Sequence, residues 1–337
     1  MSRVVNSRWS RRAVLEAGLL ASLSLSPLRL RAAVESLATM PLITKVIPGS
    51  GERIPAIGIG TNRFGGEAHD DVRAVASYDD VRALLAKMHE MGGSVIDTAA
   101  GYGSSEVFIG RALADLGLRR QMFIATKFNA KGATLPLPPG APPVGENEIW
   151  GQAAFDRSLQ RLGGNSVDLL FAHFLSSLEP LMPLMSRLKR TGRTRYIGTT
   201  VGMVKLHREL ARKMTKHPLD FVQVDYAIDN RDAAETVFPV ALEHKIAVMV
   251  DKPVGGNGLW KQVAGVPLPK WAAEIDVTSW GQFFLKYVIS HPAVTCAIPG
   301  PTTVEHLVDD QLAGRGRLPD AAMRLEMEKY WDSRVRA

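Results

Sequence analysis

Apolar residues along this chain recur in two alternating rhythms. Short apolar runs, such as Phe123-Ile124-Ala125-Thr126 and Leu169-Leu170-Phe171-Ala172, are bounded by turn-forming or polar residues. Between them lie longer stretches in which apolar positions return every three or four residues, as in Val81, Leu84, Leu85 and Met88. The first rhythm predicts buried strands and the second predicts amphipathic helices. Strands are expected at 56–60, 95–96, 123–127, 167–172, 194–199, 221–225, 246–250 and 294–298. Helices are expected over 79–91, from Ser104 or Ser105 onward, and over 147–162, 178–190, 203–215, 232–244, 277–290 and 303–313. Strand followed by helix, eight times over, predicts a closed parallel (β/α)8 barrel, the TIM-barrel architecture in the α/β class. A helix at 320–334 is extra. Residues 42–46 and 53–54 flank the turn cluster Pro48-Gly49-Ser50-Gly51 and predict an N-terminal β-hairpin.

Two long insertions interrupt the alternation. Residues 130–146 contain Pro136, Pro138, Pro139, Pro142 and Pro143, which exclude a helix. Residues 254–270 follow the seventh strand. Structureless segments of this length in a compact domain are functional or disordered, and walls of a substrate pocket are the favoured reading. Nothing in 34–337 resembles a linker, so this stretch is expected to form one domain.

The 337 residues are 46% hydrophobic, ample for a barrel of ~250 residues. The formal charge of +7 is concentrated at one end: six arginines against Glu16 give the first 33 residues +5 and leave about +2 for the rest. No nucleic-acid surface is implied for the folded body. Cys296, the single cysteine, cannot form an internal disulfide and is expected to be a small buried hydrophobe. Ser10-Arg11-Arg12-Ala13-Val14-Leu15-Glu16 resembles a twin-arginine export motif. The apolar stretch after it, 17–28, is too short and serine-rich to span a bilayer, and Arg31-Ala32-Ala33 offers small residues for cleavage. Residues 1–33 therefore read as a signal peptide engaging the twin-arginine machinery, which places the mature protein in the periplasm, or in the cytoplasm if the signal does not function. A disordered basic tail is the alternative.

Candidate chemistry lies at the C-terminal ends of the early strands. Asp97 ends one run and Tyr102 follows in the Gly-punctuated turn Ala100-Gly101-Tyr102-Gly103. Lys127 and His173 end the next two runs. Each signal alone has a bland explanation, a solvated charge or a packed ring. In a parallel barrel all strand C-termini open on one face, so the four side chains converge there.

These features resemble the aldo-keto reductases. The likeness is carried by Gly58-Ile59-Gly60-Thr61, Tyr102-Gly103-Ser104-Ser105-Glu106, Ser158-Leu159-Gln160-Arg161-Leu162-Gly163, Tyr196-Ile197-Gly198-Thr199-Thr200, Gln223-Val224-Asp225-Tyr226 and Ala297-Ile298-Pro299-Gly300, in family order from about 42 to about 315. The resemblance implies a hairpin plugging the barrel floor and hydride exchange between NADPH or NADH and an aldehyde, ketone, sugar or alcohol. Tyr102 would be the general acid and base, Lys127 would lower its pKa, Asp97 would orient Lys127, and His173 would bind the carbonyl oxygen. The cofactor would be held by Gly60, Thr61, Thr98, Thr199, Thr200, Gln223, Lys252, Pro253, Gly300, His306 and Asp310. Asn62, Phe64, Phe128, Trp150 and Phe174 would line the substrate pocket, with Trp260 in the second insertion. Two departures stand out. Val250-Asp251-Lys252-Pro253 lacks the aromatic ring that many relatives stack on the nicotinamide. Gly300 and His306, with Asp309 and Asp310 nearby, stand where a Lys and an Arg commonly grip the adenosine 2′-phosphate, which makes NADH credible. The alternative of another class is a catalytically weak nucleotide-binding regulatory module. A metal-dependent or acyl-transfer barrel lacks its motifs here: there is no H-E-x-x-H and no G-x-S-x-G.

N-terminal sequencing of the exported form is expected to start after about residue 33, the usual length of such signals. An exported form beginning at Met1 would refute the leader.

Overall fold

The computed structural model describes residues 34–65, 76–130, 146–255 and 258–335. The leader at 1–33 and most of the proline-rich insertion, 131–145, lie outside the described residues. Strands β1 (Thr44–Val46) and β2 (Arg53–Pro55) pair antiparallel as the expected hairpin. Strands β3 (Ile59–Gly60), β4 (Val95–Asp97), β5 (Phe123–Phe128), β6 (Val167–Ala172), β7 (Thr194–Val201), β8 (Phe221–Asp225), β9 (Ala247–Asp251) and β10 (Val294–Ala297) form one parallel sheet in sequence order. Backbone bonds from Gly58 N to Ala297 O (2.9 Å), Ala297 N to Ala56 O (2.9 Å) and Gly60 N to Pro299 O (2.8 Å) join its two edges and close the ring.

Side chains of each strand alternate between two cores, because successive strand residues face opposite sides. Ile96, Ile124, Leu170, Val222 and Val248 face outward and pack under the helices, against Leu84, Leu113 and Leu159 among others. Val95, Phe123, Ala125, Leu169, Phe171, Phe221, Ala247 and Met249 face inward and fill the barrel. Ile47 and Ile54 of the hairpin join this inner cluster. The Tyr196 hydroxyl ties the hairpin down by donating to Glu52 Oε2 at 2.6 Å. The floor is therefore plugged, and the same alternation turns Asp97, Lys127, Gln223 and Asp251 inward toward the open end. Cys296 is fully buried among the inner residues.

The helices fall where expected, with two differences within them and one short additional helix, Gly258–Gln262, in the second insertion, which buries Leu259 and Trp260. The segment 232–244 is split into Asp232–Thr236 and Phe238–Glu243. Pro239 has no N–H to continue the ladder. The segment 203–215 opens with a 3-10 turn, Val204–Leu206, before the helix His207–Met214. The extra helix, Ala321–Val335, buries Met327 and Trp331 in the outer core. No helix among the described residues is long and apolar enough to cross a membrane.

A close helix crossing at Gly110 tests the packing. A Cβ on Gly110, in helix Ser105–Leu116, would lie 1.9 Å from the Arg161 carbonyl of helix Glu146–Leu162. Gly110→Ala is expected to cost about 3 kcal/mol, since a backbone must move. An unfolding free energy from urea melts unchanged within about 0.5 kcal/mol, the range of a neutral surface substitution, would contradict this crossing.

Candidate active site

Asp97 and Lys127 come from adjacent strands, β4 and β5, and meet inside the barrel. The Lys127 ammonium donates to Asp97 Oδ2 at 2.5 Å and to the Thr98 carbonyl at 2.9 Å. Both side chains are sequestered, at 1% and 2% exposure. Burial drives the Asp97 carboxyl above its ordinary range while Lys127 pulls it down. Burial also opposes the charged lysine, but Asp97 and Tyr102 outweigh it and hold the ammonium above its usual value. The short contact and the second bond to a carbonyl argue for an ionised pair at neutral pH.

Tyr102 is placed by a tight turn. Its N–H bonds to the Ala99 carbonyl (3.1 Å), and Gly103 follows with φ 55°, a conformation natural to glycine. The ring centroid lies 5.0 Å from Lys127 Nζ, so the ammonium stands beside the phenol. Burial raises the phenol pKa, and Lys127 offsets this only in part. The expected net lowering therefore does not prevail: desolvation of a phenolate outweighs one nearby cation. Tyr102 is firmly protonated at neutral pH. His173 follows β6 and packs edge-on to Tyr102, ring centroids 5.7 Å apart. Burial, reinforced by Lys127, lowers its pKa to about 4. It is a neutral imidazole at neutral pH, able to donate one hydrogen bond.

The support around these groups was only partly legible in the sequence. Ser105 starts its helix but does not cap it. Its hydroxyl instead donates to Thr61 Oγ1 (2.8 Å) and sits 3.0 Å from Thr98 Oγ1, while Thr61 Oγ1 donates to the Asp97 carbonyl (2.9 Å). Thr61 and Thr98 thus fix the end of β4. Glu106, buried at 1%, accepts from Thr126 Oγ1 (2.6 Å) and from Arg161 (3.1 Å), locking β5 beside Lys127. A charged residue on the buried face of helix Ser105–Leu116 is the sequence signal for this role.

The far wall is built by β7, β8 and β9. Thr199 and Thr200 hydroxyls donate to the carbonyls of Ala172 and His173. Gln223 is buried, and its Nε2 makes no hydrogen bond within the protein. Asp251 ends β9, with Oδ1 buried and unpartnered. Burial drives its pKa up to about 7, with Asp225 and Asp97 adding to the rise and Lys252 and Lys127 opposing it. Asp225 is held by His207 Nε2 (2.8 Å) and Asn230 (2.7 Å), and His207 Nδ1 bonds Asp232 (2.7 Å). Lys252 is exposed, Pro253 is buried, and Gly300 sits beside Gly60 at the rim. His306 is nearly buried, and Asp310 is fully buried in helix Val304–Ala313. Asp309 is engaged by Ser279 Oγ (2.8 Å) and Gln282 Nε2 (2.8 Å). Of the candidate pocket residues, Asn62 is exposed, Trp150 is half-buried, and Phe174 is 54% exposed, stacked on His173 at 4.7 Å. Phe64 and Phe128 lie in the outer core. Among the described residues no group of three or more His, Cys, Asp or Glu side chains is placed to hold a metal.

With fold and site in place, the comparisons are decisive at the level of class. Residues 56–324 match the aldo/keto reductase family model, and the chain belongs to that family. It is thus an NAD(P)-dependent oxidoreductase acting on the carbonyl–alcohol couple. Aldo-keto reductase str7 of Strobilurus tenacellus is 25% identical over 310 residues, spanning 80% of this chain and 87% of its own. Aldo-keto reductase yakc [NADP(+)] of Schizosaccharomyces pombe is 25% identical over 314 residues, spanning 81% and 87%. A thermostable aldo-keto reductase solved with the inhibitor epalrestat superposes with a TM-score of 0.66 at 26% identity, covering 87% of this chain and all of that one. A Klebsiella pneumoniae aldo/keto reductase solved with NADP and acetate gives 0.66 at 22%, covering 85% and 95%.

Lys127→Met strands the Asp97 carboxylate and is expected to destabilise the fold by about 3–5 kcal/mol. Adding Asp97→Asn should restore most of that loss in guanidinium melts. Additive losses would show that the two groups do not interact.

Proposed function

We propose that Tyr102 is the proton donor in carbonyl reduction and the proton acceptor in alcohol oxidation. The observation that carries this reading is the Lys127 ammonium, held between Asp97 and Tyr102. As the carbonyl oxygen takes up negative charge, the Tyr102 hydroxyl gives it a proton and Lys127 steadies the phenolate left behind. Neutral His173 donates a hydrogen bond to the same oxygen and so orients the carbonyl. Asp97 keeps Lys127 charged and aimed. No side chain can supply hydride; the nicotinamide does so when bound.

The residues present suit that cofactor. The unpartnered Gln223 Nε2 can donate to a carboxamide oxygen. Thr199 and Thr200 give their protons to backbone carbonyls, leaving oxygens that can accept from a carboxamide N–H. At the adenosine end, helix Val304–Ala313 carries Glu305, Asp309 and Asp310 and no Lys or Arg. A doubly charged 2′-phosphate gains nothing there, which favours NADH over NADPH. Gly60, Gly300, Lys252 and Pro253 would form the rim of the same groove. The substrate is read as a small carbonyl compound entering past Phe174, with Asn62 and Trp150 at the edge. The twin-arginine leader supports export of the folded enzyme to the periplasm.

Tyr102→Phe is expected to lower kcat by about 10²–10⁴, the worth of a positioned general acid, while nucleotide affinity stays within about twofold. Near-normal turnover would overturn the role of Tyr102. In parallel, kcat/KM with NADH should equal or exceed that with NADPH; a strong NADPH preference would overturn the cofactor reading.

A further inference from the structure

Asp251 is a carboxylate that the proposed proton transfer does not use. It ends β9, which stands across the eight-stranded ring from β5 and Lys127. The alternation that puts Ala247 and Met249 inside the barrel puts Asp251 on the same side, one position nearer the mouth. Three further observations fix its setting. Oδ1 is buried and accepts no hydrogen bond. Oδ2 lies beside Gly202 at the end of β7, 3.4 Å from where a Cβ would stand. Lys252, the nearest cation in sequence, takes a left-handed backbone (φ 47°) and donates to the Gly202 carbonyl at 3.0 Å. The charge of Asp251 nonetheless reaches Tyr102, Lys127 and Asp97.

This geometry has a chemical consequence. If Tyr102 protonates the substrate oxygen, the carbon receiving hydride lies within ~3.5 Å of the donor ring, so that ring occupies the same mouth. A nicotinamide ring carries a positive charge when oxidised and none when reduced. We propose that Asp251 sets the redox preference of the site: its carboxylate, facing the mouth opposite the Tyr102–Lys127 pair, holds the oxidised, cationic nicotinamide more tightly than the reduced, neutral one. The proposal rests on Tyr102 and the nicotinamide sharing the mouth. It assigns this chain a bias toward carbonyl reduction, because a site that binds the oxidised cofactor better makes the bound reduced cofactor a stronger hydride donor and the bound oxidised cofactor a weaker hydride acceptor. It also gives a purpose to an acidic residue at a position where an aromatic ring is the common choice.

The charged and titratable groups around Asp251 are Lys252 on its own loop, Asp225 on β8 with His207 behind it, Lys127 on β5, and Asp97 and Tyr102 on β4 and its turn. His207 counters Asp225: burial opposes the protonated ring, but two carboxylates hold its pKa up, and Asp225 is held down in turn. His173 titrates near 4. Asp251, its pKa driven up to about 7, changes charge around neutrality and faces the mouth directly. The oxidised-form preference should be full above that point and fade as the carboxyl takes up a proton below it.

The test is calorimetric binding of NAD+, NADH, NADP+ and NADPH to the wild-type protein and to Asp251→Asn, at about pH 8 and about pH 6. At the higher pH the wild type should favour the oxidised partner of each pair. Asp251→Asn should shift that ratio toward the reduced partner by about tenfold, the equivalent of one pKa unit. The wild-type ratio should move the same way on acidification, a readout that needs no variant. Ratios unchanged within about twofold in both arms would overturn the role of Asp251. Failure of the wild type to bind any of the four would instead overturn the cofactor reading, and this proposal with it.

Discussion

One buried ion pair constrains the rest of this molecule. Asp97 and Lys127 are held 2.5 Å apart with almost no access to water. Desolvating two charges costs several kcal/mol per ion, and their attraction recovers this only with good geometry and further hydrogen bonds. The barrel supplies both. Parallel pairing of β4 with β5 fixes the two backbones side by side, and the Thr98 carbonyl accepts a second ammonium proton. The hydroxyl network of Thr61, Thr98 and Ser105, and the Glu106–Thr126–Arg161 bridge, immobilise those strand ends. Much of the polar interior therefore serves to keep one cation beside one phenol.

The mouth is asymmetric in charge. The β4–β6 side presents an ion pair, a protonated phenol and a neutral imidazole. The β8–β9 side presents Asp225, already compensated by His207 and Asn230, and Asp251, which is not hydrogen-bonded at Oδ1. A substrate oxygen gaining negative charge is favoured on the first side, and positive charge is favoured on the second. That separation suits a reaction in which hydride moves between a ring that changes charge and a carbon whose oxygen changes charge.

Much of this was legible in the sequence because the physics is periodic. Alternation of apolar runs with helical repeats specifies a parallel barrel, and strand C-termini of a barrel share one face. Asp97, Lys127 and His173 end such runs, so their convergence follows from topology. Other features depend on a balance that no pattern encodes. Whether Lys127 lowers the Tyr102 pKa turns on how much water the phenol loses, which requires the closed fold. The break before Pro239 was missed because the apolar repeat runs through it. Phe128 was expected in the pocket, yet the alternation that points Lys127 inward points its neighbour outward, into the helix-facing core. In the sequence Asp251 shows only the lack of an aromatic ring; its place in the mouth follows from the inward-facing register of β9 opposite β5.

The central claim is that a phenol, protonated at neutral pH and steadied by a buried lysine, gives up the proton. The most direct measurement is the pH dependence of single-turnover carbonyl reduction with saturating cofactor. The account predicts that the rate persists through neutrality and falls only at or above pH ~10, as a phenol with a raised pKa loses its proton. Abolition of the rate near pH 7, with the same profile kept in Tyr102→Phe, would contradict it and assign the donor to another group.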